Sequence, residues 1–362
     1  MCVNKVAILG AVGIPANYGG FETLAENLVR YHDALSLPDQ ITVYCSGKGY
    51  LSRKPTYLSA RLKYVPLNAN GVQSILYDFI SLFSAVWNRS DVILLLGVSG
   101  AIALPLVRLF SSVRIITNID GIEWRRAKWL GLARWFLRFS ERIAVHFSHE
   151  VIADNDAVAD YVIEMYGVKC HVIAYGGDHA VEVEEVEVNE YDLPESYAIS
   201  VSRIEPENNV HMVLAAFARL KSHALVMVGN WGISEYGRAL REQYVSCSNL
   251  LLLDPIYDAG KLKYLRTRAS FYIHGHMAGG TNPSLVEAMH FGKVVLAFDC
   301  NYNRITTENK ALFFDDGDEL VHLIETMEEI DTGRVGRDLA EIAMRRYTWR
   351  IIAQQYFALI SA

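Results

Sequence analysis

Short apolar runs rich in β-branched residues alternate along this chain with segments of helical period, and they do so in two series. Runs at 5–9, 41–45, 62–66, 92–96, 113–117 and 151–153 make the first series; runs at 197–201, 225–228, 250–253, 271–273 and 294–298 make the second. Strands joined by helix-length crossovers pair in parallel, so the pattern predicts α/β architecture with two doubly wound sheets. Residues 181–195 interrupt it. They are acidic, have no helical apolar face and end in Leu193-Pro194, which predicts a linker. A chain of 362 residues exceeds what one core usually accommodates, and a 51% hydrophobic content can fill two. The expected division is 1–180, a linker at 181–195, 196–346, and a last helix at 347–362 with Trp349, Ile352, Ala353, Tyr356 and Leu359 on one face.

Two facing Rossmann-like domains would place a ligand cleft at the carboxyl ends of both sheets, and three glycine- or arginine-bearing segments fall there. Residues 274–289 read HGHMAGGTNPSLVEAM, a strand end, a glycine turn and a helix start. Asn282 at the N-cap and Pro283 at the first helical position predict free backbone N–H groups facing the turn, suited to a phosphate. Glu287 follows about a turn later, where a carboxylate can accept two ribose hydroxyls. Residues 10–20 read GAVGIPANYGG before a helix carrying Phe21, Leu24, Ala25, Leu28 and Val29. The GxGxxG fingerprint is absent, which removes the main support for nicotinamide binding. Arg203 directly follows the run 197–201, and its fixed guanidinium fork suits a diphosphate.

Composition excludes several classes. No apolar run approaches the roughly 20 residues that span a bilayer, and residues 1–10 do not read as a signal peptide, so the expected location is cytoplasmic. Five cysteines without CxxC spacing predict reduced thiols, neither disulfides nor zinc. His274 and His276 point to one side of a strand, but no third ligand is near them in sequence. A net charge of −7 disfavours a nucleic-acid partner.

The strings YGGFET (18–23), NIDGIEWRRAKW (118–129), ADN (153–155), EPENN (205–209) and GGTNPSLVEAM (279–289) resemble the retaining GT-B glycosyltransferases of family 4. Within that family they resemble the branch that includes bacterial rhamnosyltransferases of surface-polysaccharide assembly. The resemblance covers nearly the whole chain and implies a GT-B fold whose last helix crosses back onto the N-terminal domain. It implies a nucleotide-sugar donor, dTDP-L-rhamnose for this branch, and a lipid-linked saccharide acceptor, with no bound metal or other cofactor. Gly19 and Gly20 match the loop facing the donor diphosphate, Arg203 the diphosphate arginine, and Glu287 the ribose glutamate. Gly280, Thr281 and Asn282 match the backbone at the donor sugar and phosphates. Asn208 stands where the family has a lysine, and Gly279 where it has a glutamate, so the donor sugar must be oriented differently. A donor with a UDP-linked hexose, a sugar-nucleotide epimerase, and a non-catalytic subunit of an assembly complex are the alternatives.

Asp120 and Glu123, just after a strand, are the candidate acid/base or acceptor-orienting carboxylates; the competing role for Asp120 is capping the next helix. In this family the leaving phosphate is held to help deprotonate the acceptor, so no strong protein base is implied. Residues 124–146 interleave Arg125, Arg126, Lys128, Arg134, Arg138 and Arg142 with Trp124, Trp129, Trp135, Phe136 and Phe139. Such a segment can lie on an anionic membrane surface, with Arg125, Arg126, Lys128, Trp129, Arg134, Trp135 and Arg138 as docking residues. Residues 1–180 carry about +2 and 181–362 about −9, which agrees with lipid contact by the first half.

Overall fold

A computed structural model describes residues 3–362 except 17, 18, 72, 127 and 128. The chain divides into two units: 1–175 together with 349–362, and 176–348. In the first, the order is β1 Lys5–Leu9, α1 Gly20–Ala34, β2 Gln40–Ser46, β3 Thr56–Tyr57, β4 Ala60–Val65 and α2 Gln73–Trp87. It continues with β5 Val92–Leu96, α3 Leu104–Phe110, β6 Arg114–Asn118, α4 Gly131–Phe147, β7 Glu150–Ala153, α5 Asp156–Tyr166 and β8 His171–Val172. The second unit holds α6 His179–Glu182, β9 Tyr197–Val201, α7 Val210–Arg219, β10 Ala224–Val228, α8 Glu235–Tyr244, β11 Leu250–Leu253 and α9 Ala259–Arg268. Then follow β12 Phe271–His274, α10 Pro283–Met289, β13 Val294–Phe298, α11 Asn301–Thr306, β14 Leu312–Phe314, α12 Gly317–Glu325 and α13 Thr332–Arg346. The last helix, α14 Trp349–Ser361, belongs to the first unit.

The first sheet runs β3-β4-β2-β1-β5-β6-β7-β8, parallel except for the β3–β4 pair. Its central strands are buried on both faces, which is why β5 reads as an unbroken Val-Ile-Leu-Leu-Leu. Strand order reverses between β1 and β5, where Val6 pairs with both Ile41 and Val92. The second sheet, β11-β10-β9-β12-β13-β14, is wholly parallel and reverses between β9 and β12. A crevice opens outside the carboxyl ends of strands at each such reversal, so the residues after β9 and β12, and after β1 and β5, are the ones placed to meet a ligand.

Two boundaries differ from the sequence expectation. Residues 181–195 do not act as a free linker, because the acidic stretch lies on the basic helix α9. Lys263 Nζ donates to the carbonyls of Val181 (2.8 Å) and Val183 (2.9 Å), Arg268 pairs with Glu185 (2.8 Å), and Lys261 with Glu190 (2.5 Å). The last helix begins at Trp349, since Tyr347 is buried in the second unit and donates to the Thr306 carbonyl (2.9 Å). Within the first unit, α14 buries Ile352, Tyr356 and Ile360, and its Leu359 carbonyl accepts from Arg114 (2.6 Å). Among the described residues, no helix is long and apolar enough to cross a membrane.

Candidate functional site

In the second unit the turn after β9 is tied to the turn after β12 by two asparagines of the EPENN string. Asn208 is buried and its Nδ2 donates to the Arg203 carbonyl (2.8 Å); Asn209 Nδ2 donates to the Gly275 carbonyl (3.0 Å). A Cβ on Gly275 would sit 2.4 Å from the Asn208 carbonyl oxygen, so only glycine permits this approach. The Asn208 amide N–H thus shapes the turn that carries Arg203. Arg203 itself is loosely held, with Glu205 Oε1 3.7 Å from Nη1 and 38% of its side chain exposed, which leaves its fork available to an anion.

Beyond β12, Gly279 has φ +119° and open space where a side chain would stand, while Thr281 is buried. Asn282 caps α10 as the sequence predicts, its Oδ1 accepting from the Ser284 N–H (3.0 Å), and Pro283 occupies the first helical turn. Gly280 lies in the same turn, partly exposed.

Glu287 projects from α10 onto two partners that sequence spacing did not reveal. Arg266 Nη2 lies 2.5 Å from Oε2, and His179 Nε2 lies 3.4 Å from Oε1. Burial alone would raise the carboxyl pKa, but the Arg266 charge and the bonds from His179 and Arg266 overcome it and bring the pKa down to about 2. Glu287 is therefore a fixed anion at the edge of this site. His274, fully buried, stacks on His276 with ring centroids 4.3 Å apart. Burial pushes its pKa down to about 3, so it stays neutral, and neither ring nitrogen has a hydrogen-bond partner. Among the described residues no group of three or more His, Cys, Asp or Glu could hold a metal ion.

In the first unit, the glycine loop after β1 is anchored by the helix that follows it. Glu22 Oε1 accepts from the Val12 N–H (2.7 Å) and Glu26 Oε2 from the Ala16 N–H (2.6 Å). Gly19 has φ +134°, and a Cβ there would lie 1.9 Å from Glu22 Oε2; Gly20 starts α1. The signal for this anchor was a pair of glutamates at i, i+4, hence on one helix face, just after a glycine turn.

Asp120 takes a left-handed backbone conformation, φ +59°, uncommon outside glycine and tolerated by Asp. Its N–H donates to Asn118 Oδ1 (2.8 Å) and its Oδ1 accepts from Tyr175 (3.2 Å), while Asn118 Nδ2 donates to Tyr356 on α14 (2.6 Å). Asp120 does not cap a helix: the short 3₁₀ turn Glu123–Arg125 is preceded by Ile122 and has no side-chain cap. Glu123 has both carboxylate oxygens engaged, by Trp129 Nε1 (2.9 Å) and Arg126 Nε (2.8 Å). That arrangement ties Arg126 and Trp129 to the loop through Glu123.

Arg125 lies over the rings of Trp124 (5.4 Å) and Tyr161 (4.8 Å), and Arg138 over Trp124 (5.1 Å). Arg134 and Trp135 are exposed on α4, with Trp135 stacked on Phe139. Lys128 lies outside the described residues. One group passed unnoticed in the sequence. Asp78 of α2 is buried beside the loop after β5, accepts from Ser99 Oγ, and burial lifts its pKa to about 7.

Residues 3–178 match the model of a domain of unknown function (DUF1972), and residues 182–342 match that of the glycosyl transferases group 1. No curated protein matches the chain. Among solved structures, a sucrose-phosphate synthase from Thermosynechococcus elongatus is similar over 99% of this chain and 98% of its own, with a TM-score of 0.82 at 14% identity. Anabaena Alr3699/HepE, solved with UDP, covers 99% of both chains with a TM-score of 0.72 at 16% identity. The catalytic domain of Arabidopsis thaliana starch synthase IV, bound to ADP and acarbose, covers 99% of both with a TM-score of 0.68 at 12% identity. The fold expectation of two Rossmann-like parallel-sheet domains holds. The chain has the two-domain GT-B fold of these structures, and its residues 182–342 match the glycosyl transferases group 1.

Proposed function

We propose that this chain is a glycosyltransferase of the rhamnosyltransferase branch of family 4 and moves L-rhamnose from dTDP-L-rhamnose, with retention, onto a lipid-linked saccharide in surface-polysaccharide synthesis. The observation that carries the donor reading is the pairing, in one unit, of a loosely held Arg203 after β9 with a Glu287 kept ionised on the helix after β12. Arg203 neutralises charge that grows on the departing diphosphate, and Glu287 accepts the ribose hydroxyls with lone pairs left over from Arg266 and His179. Gly280, Thr281 and Asn282 supply the close backbone around the phosphates. The open space at Gly279, where the resembled family has a carboxylate, suits a deoxy-sugar with fewer hydroxyls to satisfy.

In the reaction the acceptor oxygen bonds to the sugar's anomeric carbon as its bond to the phosphate oxygen breaks; the acceptor proton leaves on the nucleoside diphosphate. Asp120, fixed by Asn118 and Tyr175, orients the acceptor hydroxyl, and Glu123 acts through the loop that carries it. No metal enters this scheme. The acceptor's lipid places the enzyme at the inner membrane face, where Arg134 and Trp135 of α4 are outward. A UDP-hexose donor is the second reading, favoured by the likeness to HepE, whose structures hold UDP and glucose.

The test is incubation of the purified chain with a panel of nucleotide sugars and polyprenyl-diphosphate saccharides, read by mass spectrometry. Transfer of rhamnose supports the proposal, and transfer of glucose alone replaces the donor. An epimerised nucleotide sugar, or no product with any donor, overturns it. Arg203→Ala should cut turnover by roughly 10²-fold or more, as loss of a transition-state charge contact does. Glu287→Gln should weaken nucleotide binding about tenfold by calorimetry, the size of one charge-assisted hydrogen bond. Arg203→Ala within twofold of the parent would remove the clamp assignment.

A further inference from the structure

Three helices on one face of the first sheet leave large apolar side chains in solvent. Leu76 and Ile80 on α2, Leu109 and Phe110 on α3, and Leu132 and Trp135 on α4 are all more than a third exposed, with Leu132 at 86% and Phe110 at 74%. These helices are neighbours: α3 packs against both α2 and α4. Folded chains rarely expose apolar groups so densely on adjacent elements unless something covers them.

The charges on the same helices say what covers them. Residues 73–87, 101–112 and 129–147 contain two carboxylates, Asp78 and Glu141, and both are buried. The cations among them are Arg108, Arg134, Arg138 and Arg142. An apolar ridge edged by arginine and free of exposed acids is complementary to a bilayer with anionic headgroups, and tryptophan at such a boundary is favoured. A partner protein would have to offer an apolar surface with an acidic rim, and nothing here points to one.

We infer that the first unit docks on an anionic bilayer by inserting the apolar ridge of α2, α3 and α4, with the arginines of α3 and α4 at headgroup level. This deepens the membrane placement proposed above, yet it rests on exposed side chains and not on the donor or acceptor assignment. It also changes the physical character of the contact. Arg126 is paired with Glu123, and Arg125 stacks on Trp124 and Tyr161, so charge alone is a smaller part of the attraction than the sequence suggested.

The experiment is flotation of the full chain with vesicles of phosphatidylcholine alone or with phosphatidylglycerol, needing no sugar donor. The parent should float with the anionic vesicles and retain part of that binding at 0.5 M salt, because apolar insertion is not screened. Leu109→Glu with Phe110→Glu, and separately Leu132→Glu with Trp135→Glu, should each lower partitioning at least about tenfold. Both pairs are exposed, so circular dichroism and melting should match the parent and exclude misfolding. Absence of parental binding to either vesicle overturns the inference. So does binding that both apolar pairs leave intact while salt abolishes it. A parental dimer that Leu109→Glu with Phe110→Glu dissociates, without vesicle binding, would assign the ridge to a second copy and likewise overturn it. A failed donor assay beside positive flotation would reject the transferase reading alone.

Discussion

Asp78 is a carboxyl group whose proton release folding postpones to near neutral pH. Its pKa stands at about 7 because burial disfavours the anion, with the Ser99 hydroxyl bond opposing part of that rise. The unfolded chain releases this proton near pH 4, the folded chain only near 7. Between those values the folded state binds more protons, so this contribution is complete below pH 4 and fades as pH rises toward 7. At pH 8 the lost contribution is up to roughly 4 kcal/mol, at ~1.4 kcal/mol per pKa unit. Asp78→Asn, which keeps an acceptor for Ser99, should flatten the fall in melting temperature between pH 5 and pH 8; an unchanged profile would show that Asp78 titrates normally. Glu287 behaves in the opposite sense, adding stability above pH 4.5 that is lost as pH falls toward 2. The sequence exposed Glu287 because a glycine turn and a cap precede it on the same short segment. Asp78 was invisible, since its significance depends on Ser99 and Gly100 approaching from the other side of β5.

At the scale of one element, α9 does more than cover the sheet. Lys261, Lys263 and Arg268 fasten the acidic stretch before β9, and Arg266 holds Glu287 on α10. Arg266→Met should strand Glu287 as a buried anion beside only a histidine, at a cost of about 3–5 kcal/mol in urea unfolding. Nucleotide affinity should fall with it, and Arg266→Lys should restore part of both; full stability in the Met variant would mean that Glu287 finds solvent. The strands with continuous apolar runs and the helix starts marked by Asn-Pro or Gly-Gly were legible, because each is fixed by local pattern. Strands β3, β8 and β14 were not, as two or three residues carry no period. Nor could 181–195 be read as docked, because an acidic stretch looks the same in solvent as against basic α9, more than sixty residues onward in sequence.

For the whole molecule, the discontinuity of the first unit is the main organising fact. Helix α14 packs beside α1 and along β6, burying Ile352, Tyr356, Phe357 and Ile360, and Tyr356 receives the Asn118 amide that steadies the Asp120 turn. At roughly 1.5–3 kcal/mol per buried side chain, removing 349–362 takes away an amount comparable to the entire stability of a domain. The truncated chain should therefore lose amide protection across β1, β5 and β6 in hydrogen exchange while β9 to β13 keep theirs; equal loss in both units would tie their stabilities together. The same arrangement sets a clock on biosynthesis. The ribosome must pass through all of 176–348 before it delivers the helix that finishes the first sheet. At about 5–20 residues per second that is an interval on the order of 10–40 s. During it the second unit can close its own contiguous core, while the hydrophobic seat for Tyr356 and Ile360 stands open to chaperones and to other nascent chains.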